Sequence, residues 1–183
     1  MMELHRGSPQ TAEGRSDTEM RAYAFLDRLG IEYYRTDHPD EPATTMEVCA
    51  RVDAVLDVRI CKNLFLCNRR ETDFYLLVMP GDKAFRTKHL SHQLGVSRLS
   101  FAPETYMREF LDIAPGSVSV LGLMNDHGHR VTLAIDEDVL KEERFGCHPC
   151  VNTSSIRFRM EDLMNTVIPA LGVRPVIVHL EEE

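Results

Sequence analysis

Two apolar runs rich in β-branched and aromatic residues, separated by a short polar segment, most constrain the fold of this 183-residue chain. Residues 58–67 and 73–79 each have the composition of a buried strand, and the polar residues 68–72 between them suit a turn. Strands joined by so short a connection pair in the antiparallel direction. The sequence therefore predicts a β-hairpin at the centre of the fold.

Helical and strand patterns alternate irregularly around this hairpin. The predicted helices cover residues 17–29, 45–52, 87–94, 103–111 and 161–171. The other predicted strands cover residues 31–35, 98–101, 117–123, 130–135, 156–158 and 176–179, of which 117–123 and 130–135 form a second hairpin. Hairpins interleaved with helices do not follow the βαβ repeat of a doubly wound sheet. We therefore predict a mixed α/β fold: a largely antiparallel sheet or partly closed barrel of about seven strands, with packed helices.

The domain organisation follows from composition. Residues 1–15 combine Gly, Ser, Pro, Thr and charged residues without an apolar period, which predicts a flexible N-terminus. No repeat or linker divides the remainder, and 43% hydrophobic residues suffice for a buried core. Residues 16–183 are therefore predicted to form one domain.

Charge and cysteine content narrow the possible partners and compartment. The chain has 21 lysine and arginine residues against 29 acidic ones, a net charge of −8, which argues against a general polyanion binder and against DNA as a partner. No signal peptide or run of about 20 apolar residues is seen, so we expect a soluble, cytoplasmic protein without a membrane partner. Five cysteines, an odd number, are expected to be reduced thiols.

A lysine lies inside the most apolar predicted strand. Lysine side chains are almost never fully buried without a partner. Strand alternation places Lys62 and Leu64 on one face and Asn63 and Phe65 on the other, so the ammonium must emerge at a strand end or face a cavity. Lys62 is therefore either a lysine that extends along the sheet edge to solvent or a site residue.

Residues 145–154 gather thiol, imidazole, amide and hydroxyl groups around a glycine and a proline. His148, Asn152 and Thr153 could line a site, or the polar side chains could bond nearby backbone in a turn. Cys147 and Cys150 have the spacing of a zinc-binding pair, but no second pair of Cys or His residues occurs at a suitable distance along the chain. We therefore predict no metal.

Two further groups of residues are candidates for ligand contacts. Residues 116–119, Gly-Ser-Val-Ser, could bring backbone N–H groups close to an anion or a carbonyl oxygen, or could form a tight strand entry. Basic side chains that could bind a few phosphates, or simply form a solvated face, are those of Arg69, Arg70, Lys83, Arg86 and Lys88. No P-loop, dinucleotide-binding motif or nucleophile elbow is present.

Four of these segments, in this order, resemble the family of prolyl-tRNA editing proteins related to the insertion domain of bacterial prolyl-tRNA synthetase, the YbaK-type deacylases. The matching segments are Lys-Asn-Leu-Phe-Leu at 62–66, Tyr-Leu-Leu-Val at 75–78 with Pro-Gly-Asp-Lys at 80–83, residues 115–123, and His148-Pro149 with Asn152-Thr153. The resemblance spans about residues 20–180. Residues 62–66 resemble the free-standing branch that removes alanine from tRNA-Pro.

The resemblance implies an esterase that acts in trans on mischarged tRNA-Pro, most of all on Ala-tRNA-Pro, without a cofactor. Its implied partners are the tRNA acceptor end and prolyl-tRNA synthetase. It implies catalytic roles for Lys62 at the terminal adenosine or the ester, for the backbone at Gly116 and for His148, with the substrate's own ribose hydroxyl helping to activate water. The implied substrate-binding residues are Asn63, Ser117, Val118, Val120, Asn152 and Thr153.

One position departs from the family pattern. The glycine loop of the family usually ends in proline four residues after its glycine, and here that position is Val120. Valine keeps the backbone N–H that proline lacks. This departure motivates a second hypothesis, a non-catalytic module of the same fold that binds aminoacyl-tRNA. Zinc-dependent hydrolysis through Cys147 and Cys150 is a third.

Overall fold

The computed structural model describes residues 1–181, which form two β-sheets with helices packed against them. The strands are β1 (His5–Arg6), β2 (Tyr33–Asp37), β3 (Lys62–Asn68), β4 (Phe74–Met79), β5 (Leu99–Phe101), β6 (Val131–Asp136), β7 (Arg144–Cys147), β8 (Ser154–Arg159) and β9 (Val176–Val178). The α-helices are α1 (Asp17–Arg28), α2 (Met46–Leu56), α3 (Thr87–Leu94), α4 (Glu104–Tyr106), α5 (Met160–Asp162) and α6 (Ile168–Ala170). A π-helical turn, Met107–Leu111, extends α4, and another, Leu163–Val167, joins α5 to α6. Short 3-10 helices cover Val120–Asn125 and Val139–Lys141.

The two sheets differ in strand direction. The four-stranded sheet has the order β1-β2-β8-β7 and is antiparallel throughout. The five-stranded sheet has the order β5-β3-β4-β6-β9, in which β4, β6 and β9 run parallel. The mixed α/β class with mainly antiparallel pairing is confirmed. The barrel alternative is wrong, because the larger sheet ends in two open edges, β5 and β9, of three residues each.

The predicted hairpin is confirmed as β3 and β4, which pair from Lys62 opposite Met79 to Cys67 opposite Phe74. Asn68 closes the turn, because its Oδ1 accepts the backbone N–H groups of Thr72 and Asp73 at 2.9 and 3.2 Å. A side-chain amide that satisfies two turn N–H groups stabilises the polar connection that the sequence indicated.

The second predicted hairpin is wrong. Residues 120–125 form a 3-10 helix, and β6 pairs in parallel with β4. Gly122 packs closely against residues 111–113, because a Cβ there would lie 2.5 Å from Ile113 Cδ1 and 3.2 Å from Leu111 Cβ. Asp126 then accepts the N–H groups of Arg130 and Val131, at 3.0 and 2.9 Å, and directs the chain into β6.

Residues 1–15 contribute one strand pair and one ion-pair network. His5 pairs with Arg35, and the Arg15 guanidinium donates to Glu19 at 2.6 Å and to Asp37 at 2.8 Å. The flexibility of this segment and the extent of the single domain stay predictions. Strand β7, in contrast, was not predicted, because Phe145-Gly146-Cys147 begins the polar segment 145–154, whose composition favours a turn.

The alternation of β3 and β4 separates two apolar layers. Phe65 and Val78 face the main core, which lies against both sheets, while Leu66 and Leu77 face a smaller cluster beneath α3. Because both faces are covered, the whole strand is apolar apart from its ends. Lys62 and Asn63, at the beginning of β3, lie at the edge of these two apolar clusters and belong to neither. Within residues 1–181, no helix has the length and apolar character required to cross a membrane.

Candidate active site

A cleft of about 580 Å³ opens at the beginning of β3. The chain crosses between the sheets just before this point, since Ile60 forms a bridge with Gly146 of β7 and the Cys61 N–H donates to the Gly146 carbonyl at 3.0 Å. Strand β5 pairs with β3 over Leu66–Asn68, which leaves the edge at residues 62–65 for the cleft. The predicted site residues that line it are Lys62, Asn63, Gly116, Val118 and His148.

Lys62 is held by the chain segment opposite it. Its half-buried ammonium donates to the Lys83 carbonyl at 2.5 Å. An ammonium has three N–H donors, so donors remain for a ligand in the cleft. The hydrogen bond to Lys83 thus orients the Lys62 ammonium at the cleft. This favours a role as a site residue over a lysine that merely extends into solvent.

Lys83 does not have the surface position expected of a tRNA contact. Its side chain is 1% exposed, with Nζ at 2.8 Å from carboxylate oxygens of both Asp136 and Asp138. Burial alone would lower its pKa, but the hydrogen bonds to the two carboxylates outweigh burial and raise it. The expectation that Lys83 binds phosphate is therefore wrong. Its ammonium is paired with these two carboxylates inside the protein, and its backbone carbonyl accepts the hydrogen bond from Lys62.

The loop before Lys83 approaches the cleft closely. A Cβ added at Gly81 would collide with the Ile60 carbonyl oxygen, so only glycine fits there. Beside it, Asp82 accepts two hydrogen bonds from the Arg59 guanidinium, at 3.0 and 2.9 Å, and Arg59 also pairs with Glu142. The family-like Pro-Gly-Asp-Lys segment therefore builds the wall that carries the Lys83 carbonyl.

Asn63 is oriented by two backbone groups. Its Oδ1 accepts the Val120 N–H at 2.9 Å, and its Nδ2 donates to the Cys61 carbonyl at 3.2 Å. Proline at position 120 could not make the first bond, because it has no N–H. The departure from the family pattern thus coincides with a contact that anchors a cleft side chain.

The glycine loop reaches the cleft through its backbone. Gly116 has a φ of +84°, a conformation that L side chains rarely adopt, and Ser117 N–H donates to the Ala114 carbonyl at 3.2 Å to close the turn. Val118 also lines the cleft. The side chain of Val120 is fully buried in the core instead, and Ser117 is buried as well.

Asn152 and Thr153 support the opposite wall without lining it. The Asn152 carbonyl accepts the Ala43 N–H at 2.8 Å, and the Thr153 carbonyl accepts the His38 N–H at 2.8 Å. The Asn152 side chain lies against Gly116, 3.4 Å from the position that a Cβ would take. Asn152 and Thr153 therefore anchor the segment that carries His38 and Ala43, and neither is among the described residues that line the cleft.

His148 is half-buried in the cleft wall and uncharged at neutral pH. Its Nδ1 lies 3.2 Å from the Ser154 carbonyl and 3.1 Å from Ser155 Oγ, which in turn lies 3.0 Å from His38 Nε2. The Ser154 carbonyl can only accept, so the proton is assigned to Nδ1 of His148, which leaves Nε2 as an acceptor. Burial lowers the pKa of His148 to about 4. The imidazole is therefore neutral near pH 7 and available to accept a hydrogen bond.

The thiols near the cleft are not poised for nucleophilic attack. Cys49 and Cys61 line it, and burial raises the pKa of Cys49 and brings that of Cys61 to about 12. Burial also raises the pKa of Cys147 well above its ordinary value. Thiols with such pKa values stay protonated at neutral pH. Among residues 1–181, no group of three or more His, Cys, Asp or Glu side chains could hold a metal ion.

The remaining predicted basic residues fall into two places. Arg69 and Arg70 are exposed in the turn after β3, at the end of that strand opposite Lys62, roughly 20 Å away at the usual rise of a strand. Arg86 and Lys88 line a groove beside the cleft. Sequence reasoning missed the wall formed by Thr44, Thr45 and Met46 at the start of α2. Met46 is 86% exposed at the start of α2, an exposure that the structure shows and the sequence alone does not.

The fold and cleft together define a class of site: an α/β scaffold that presents an aimed ammonium, a neutral imidazole and a glycine turn, with thiols that remain protonated. Such groups can hold a polar substrate and stabilise charge on a carbonyl oxygen without a covalent intermediate.

Comparisons with known proteins identify the family. Residues 40–166 match the profile of the aminoacyl-tRNA editing domain. The prolyl-tRNA editing protein ProX of Acetoanaerobium sticklandii is 30% identical over 151 residues, covering 82% of this chain and 91% of that protein. The mouse prolyl-tRNA synthetase associated domain-containing protein 1 is 29% identical, covering 90% of this chain and 98% of the mouse protein. The chain belongs to the aminoacyl-tRNA editing family, and its predicted class, an aminoacyl-tRNA deacylase, is confirmed.

Structural comparison agrees on the fold. A solved structure described as a candidate trans-editing enzyme for prolyl-tRNA synthetase superposes with a TM-score of 0.66 at 18% identity, covering 91% of this chain and 99% of the other. At that level of identity, the likeness supports the architecture alone.

Proposed function

We propose that this protein hydrolyses mischarged tRNA-Pro in trans and that alanine is the amino acid it removes. The observation that carries the proposal is the convergence of Lys62, the neutral His148 and the Gly116 turn on one cleft of a chain that belongs to the editing family. The name of the relative ProX, a prolyl-tRNA editing protein, supports tRNA-Pro as the substrate. The resemblance of residues 62–66 to the free-standing branch supports alanine.

The reaction requires little beyond positioning, because an aminoacyl ester is already activated. Water adds to the ester carbonyl carbon, the bond to the ribose oxygen breaks, and that oxygen takes up a proton, which releases the free amino acid and the tRNA. In this scheme the Lys62 ammonium contacts the terminal adenosine or the ester, and backbone at Gly116 faces the aminoacyl group. Stabilising the charge that develops on the carbonyl oxygen is the main contribution of such donors.

His148 positions the substrate or the water. Its Nε2 can accept a hydrogen bond, and with a pKa of about 4 the ring stays neutral throughout the physiological range. Activation of the water is assigned to the neighbouring ribose hydroxyl, so no side chain must act as a strong base. The absence of a thiolate among the cleft cysteines Cys49 and Cys61 is compatible with this route.

Selection of alanine over proline fits the purpose of editing. A synthetase site separates similar small side chains by only about 1–3 kcal/mol, and a second site that admits the smaller residue adds the remaining accuracy. Leu64, Phe65 and Val118 form apolar parts of the cleft wall, against which a methyl group can pack. The larger prolyl ring is proposed to be excluded by its bulk.

The setting of this activity is part of the proposal. The protein would act in the cytoplasm on the acceptor end of tRNA-Pro, with prolyl-tRNA synthetase as a second partner and the domain extending over residues 16–183. Ser117, Val120, Asn152 and Thr153 would support the substrate site through the loops they fasten. Arg69 and Arg70 stay predictions as contacts with a more distant part of the tRNA.

A deacylation assay tests the proposal. Purified protein is incubated with Ala-tRNA-Pro, Ser-tRNA-Pro, Cys-tRNA-Pro and Pro-tRNA-Pro, and release of the amino acid is followed against buffer alone. Alanine should be released fastest and proline not at all. Failure to hydrolyse any mischarged tRNA-Pro would rule out the enzyme and leave the binding-module hypothesis.

The Val120–Asn63 contact yields a prediction about the loop. Val120→Pro should lower kcat/KM for Ala-tRNA-Pro by about tenfold, because the lost hydrogen bond, worth about 1–3 kcal/mol for a partly buried group, no longer orients the Asn63 amide. Proline fits the backbone itself, since Ser119 is extended at φ −146° and ψ 145°, and position 120 begins a 3-10 helix. Steady-state kinetics and a thermal melt would separate activity from folding.

Val120→Ala is the matched control, because it shortens the side chain but keeps the N–H. It should retain more activity than Val120→Pro. In the Asn63→Ala background, Val120→Pro should have little further effect, since the contact is already lost. An increase in activity with proline, the residue typical of the family, would contradict this account.

A further inference from the structure

A second groove adjoins the cleft and shares three residues with it: Lys62, Leu64 and Phe101. The remaining lining residues come from the segment that enters α3, and they are Phe85, Arg86, Thr87 and Lys88. A ligand whose reacting end occupies the cleft can therefore continue along β3 into this groove without crossing the surface elsewhere.

The groove has an exposed aromatic floor. Phe101, at the end of β5, is 62% exposed, and its ring meets that of Phe85 edge to face with centroids 6.2 Å apart. Large apolar side chains at the surface are costly when clustered and commonly mark a binding site. An exposed ring supported by a second ring is the element on which unpaired nucleobases stack in single-strand binding proteins.

The charge of the groove is opposite to that of the whole chain. The chain carries a net charge of −8, yet the charged residues that line this groove are Lys62, Arg86 and Lys88, all cationic. Arg86 and Lys88 are exposed. A local basic strip beside an aromatic ring is complementary to a nucleotide, which presents one phosphate and one flat base.

We propose that this groove binds the unpaired nucleotide that precedes the terminal adenosine of the acceptor end, with its base on Phe101 and its phosphate beside Lys88 and Arg86. This inference rests on the proposed function, because it assumes that the terminal aminoacyl-adenosine occupies the cleft. The groove adds the contact that lets the enzyme recognise a nucleic-acid end and not simply an amino-acid ester.

Two small substrates separate the groove from the cleft. Alanyl-adenosine occupies the cleft alone, whereas the alanyl ester of the dinucleotide CpA adds one phosphate and one base. In the wild-type protein, the added cytidylate should raise kcat/KM by about tenfold or more, in line with the usual effect of one stacked base. Phe101→Ala should abolish most of this gain, and Lys88→Ala should reduce it and weaken its dependence on salt.

Matched variants identify the cause. Phe101→Trp retains a stacking surface and should keep the gain, and so should Ile177→Ala, which removes an exposed apolar side chain from β9, at the other edge of the same sheet. The inference is overturned if the cytidylate adds nothing in the wild type, or if its gain survives Phe101→Ala. Amide-linked analogues of alanyl-adenosine and alanyl-CpA are not hydrolysed. Their dissociation constants therefore measure the contribution of the added cytidylate to binding alone. Failure of the proposed function would appear separately, as a wild-type protein that cleaves neither ester nor Ala-tRNA-Pro.

Discussion

Replacement of Lys62 by alanine should lower kcat/KM for Ala-tRNA-Pro by about 10²–10³-fold, the usual cost of removing one donor that stabilises developing charge. The ammonium is half-buried, fixed at 2.5 Å from the Lys83 carbonyl, and lies at the mouth of the proposed site. A pre-oriented charge is more effective than a mobile one because it needs no reorganisation during the reaction. The effect should appear mainly in catalysis and not in stability, since the side chain stands outside both cores.

The control for this variant is Lys141→Ala. Lys141 is an exposed lysine that pairs with Asp138 and does not line the cleft. Its replacement should leave kcat/KM within about twofold of the wild-type value. Single-turnover rates with saturating enzyme would distinguish weakened binding from slower hydrolysis. A Lys62→Ala enzyme within threefold of the wild type would remove Lys62 from the mechanism and return it to the role of a sheet-edge lysine.

Local signals predicted those parts of the fold whose stability is local. The β3–β4 hairpin followed from two apolar runs and a polar turn, and helix α1 begins after Ser16, whose side chain accepts the Glu19 N–H. Gly95, in the left-handed conformation, ends α3 where the sequence placed its end. In each case, residues close in sequence determine the outcome.

Pairings between segments that are distant in the chain were harder to predict from the sequence. The parallel pairing of β6 with β4 follows a 3-10 helix at residues 120–125 and a turn that Asp126 caps, and the β-like composition of the segment indicates neither. Strand β7 has four residues, two of which are Gly146 and Cys147, so its pattern is that of a loop. Tertiary contacts determine both the β4–β6 pairing and strand β7, and the hydrophobic periodicity of a sequence does not reveal such contacts.

The site was predicted through a resemblance of motifs more than through physics. Strand alternation narrowed Lys62 to a strand end or a cavity, but it could not identify the Lys83 carbonyl as its acceptor. The bond from the Val120 N–H to Asn63 joins residues that lie far apart in the chain and is invisible in composition. Lys83 was misassigned because a lysine that follows Pro-Gly-Asp resembles a surface residue, while its carboxylate partners lie more than fifty residues further along the chain.

Lys83 links the stability of the fold to the geometry of the candidate site. Lys83 directs its side chain inward to two carboxylates and its carbonyl outward to Lys62, so one residue fastens the loop and aims the ammonium. Asp136 is fully buried at the end of β6, and its other oxygen accepts the Asp138 N–H at 3.2 Å. Lys141 and Lys83 together lower the pKa of Asp138 to about 2, so this carboxylate is charged at neutral pH and connects the two lysines.

Lys83→Met should therefore be the most destabilising single change among these variants, with a loss of about 3–5 kcal/mol in the free energy of unfolding. Methionine fills a similar volume but leaves the Asp136 carboxylate buried without its cation. Urea unfolding at neutral pH would measure the loss. The destabilisation should decrease as the pH falls from about 4 to about 2, because the stabilisation that the lowered pKa of Asp138 gives the wild-type protein is lost when that carboxylate is protonated.

Two further variants show whether the lost charge or the lost side-chain packing causes the destabilisation by Lys83→Met. Lys141→Met removes an exposed partner of the same Asp138 and should cost far less, because solvent already screens that pair. Lys83→Met combined with Asp136→Leu removes both buried charges and should recover much of the stability, as replacement of a buried pair by apolar residues commonly does. If the double variant is as unstable as Lys83→Met alone, the loop depends on the lysine for packing and not for charge. In that case, the aim of Lys62 would be set by the backbone of residues 80–83 alone.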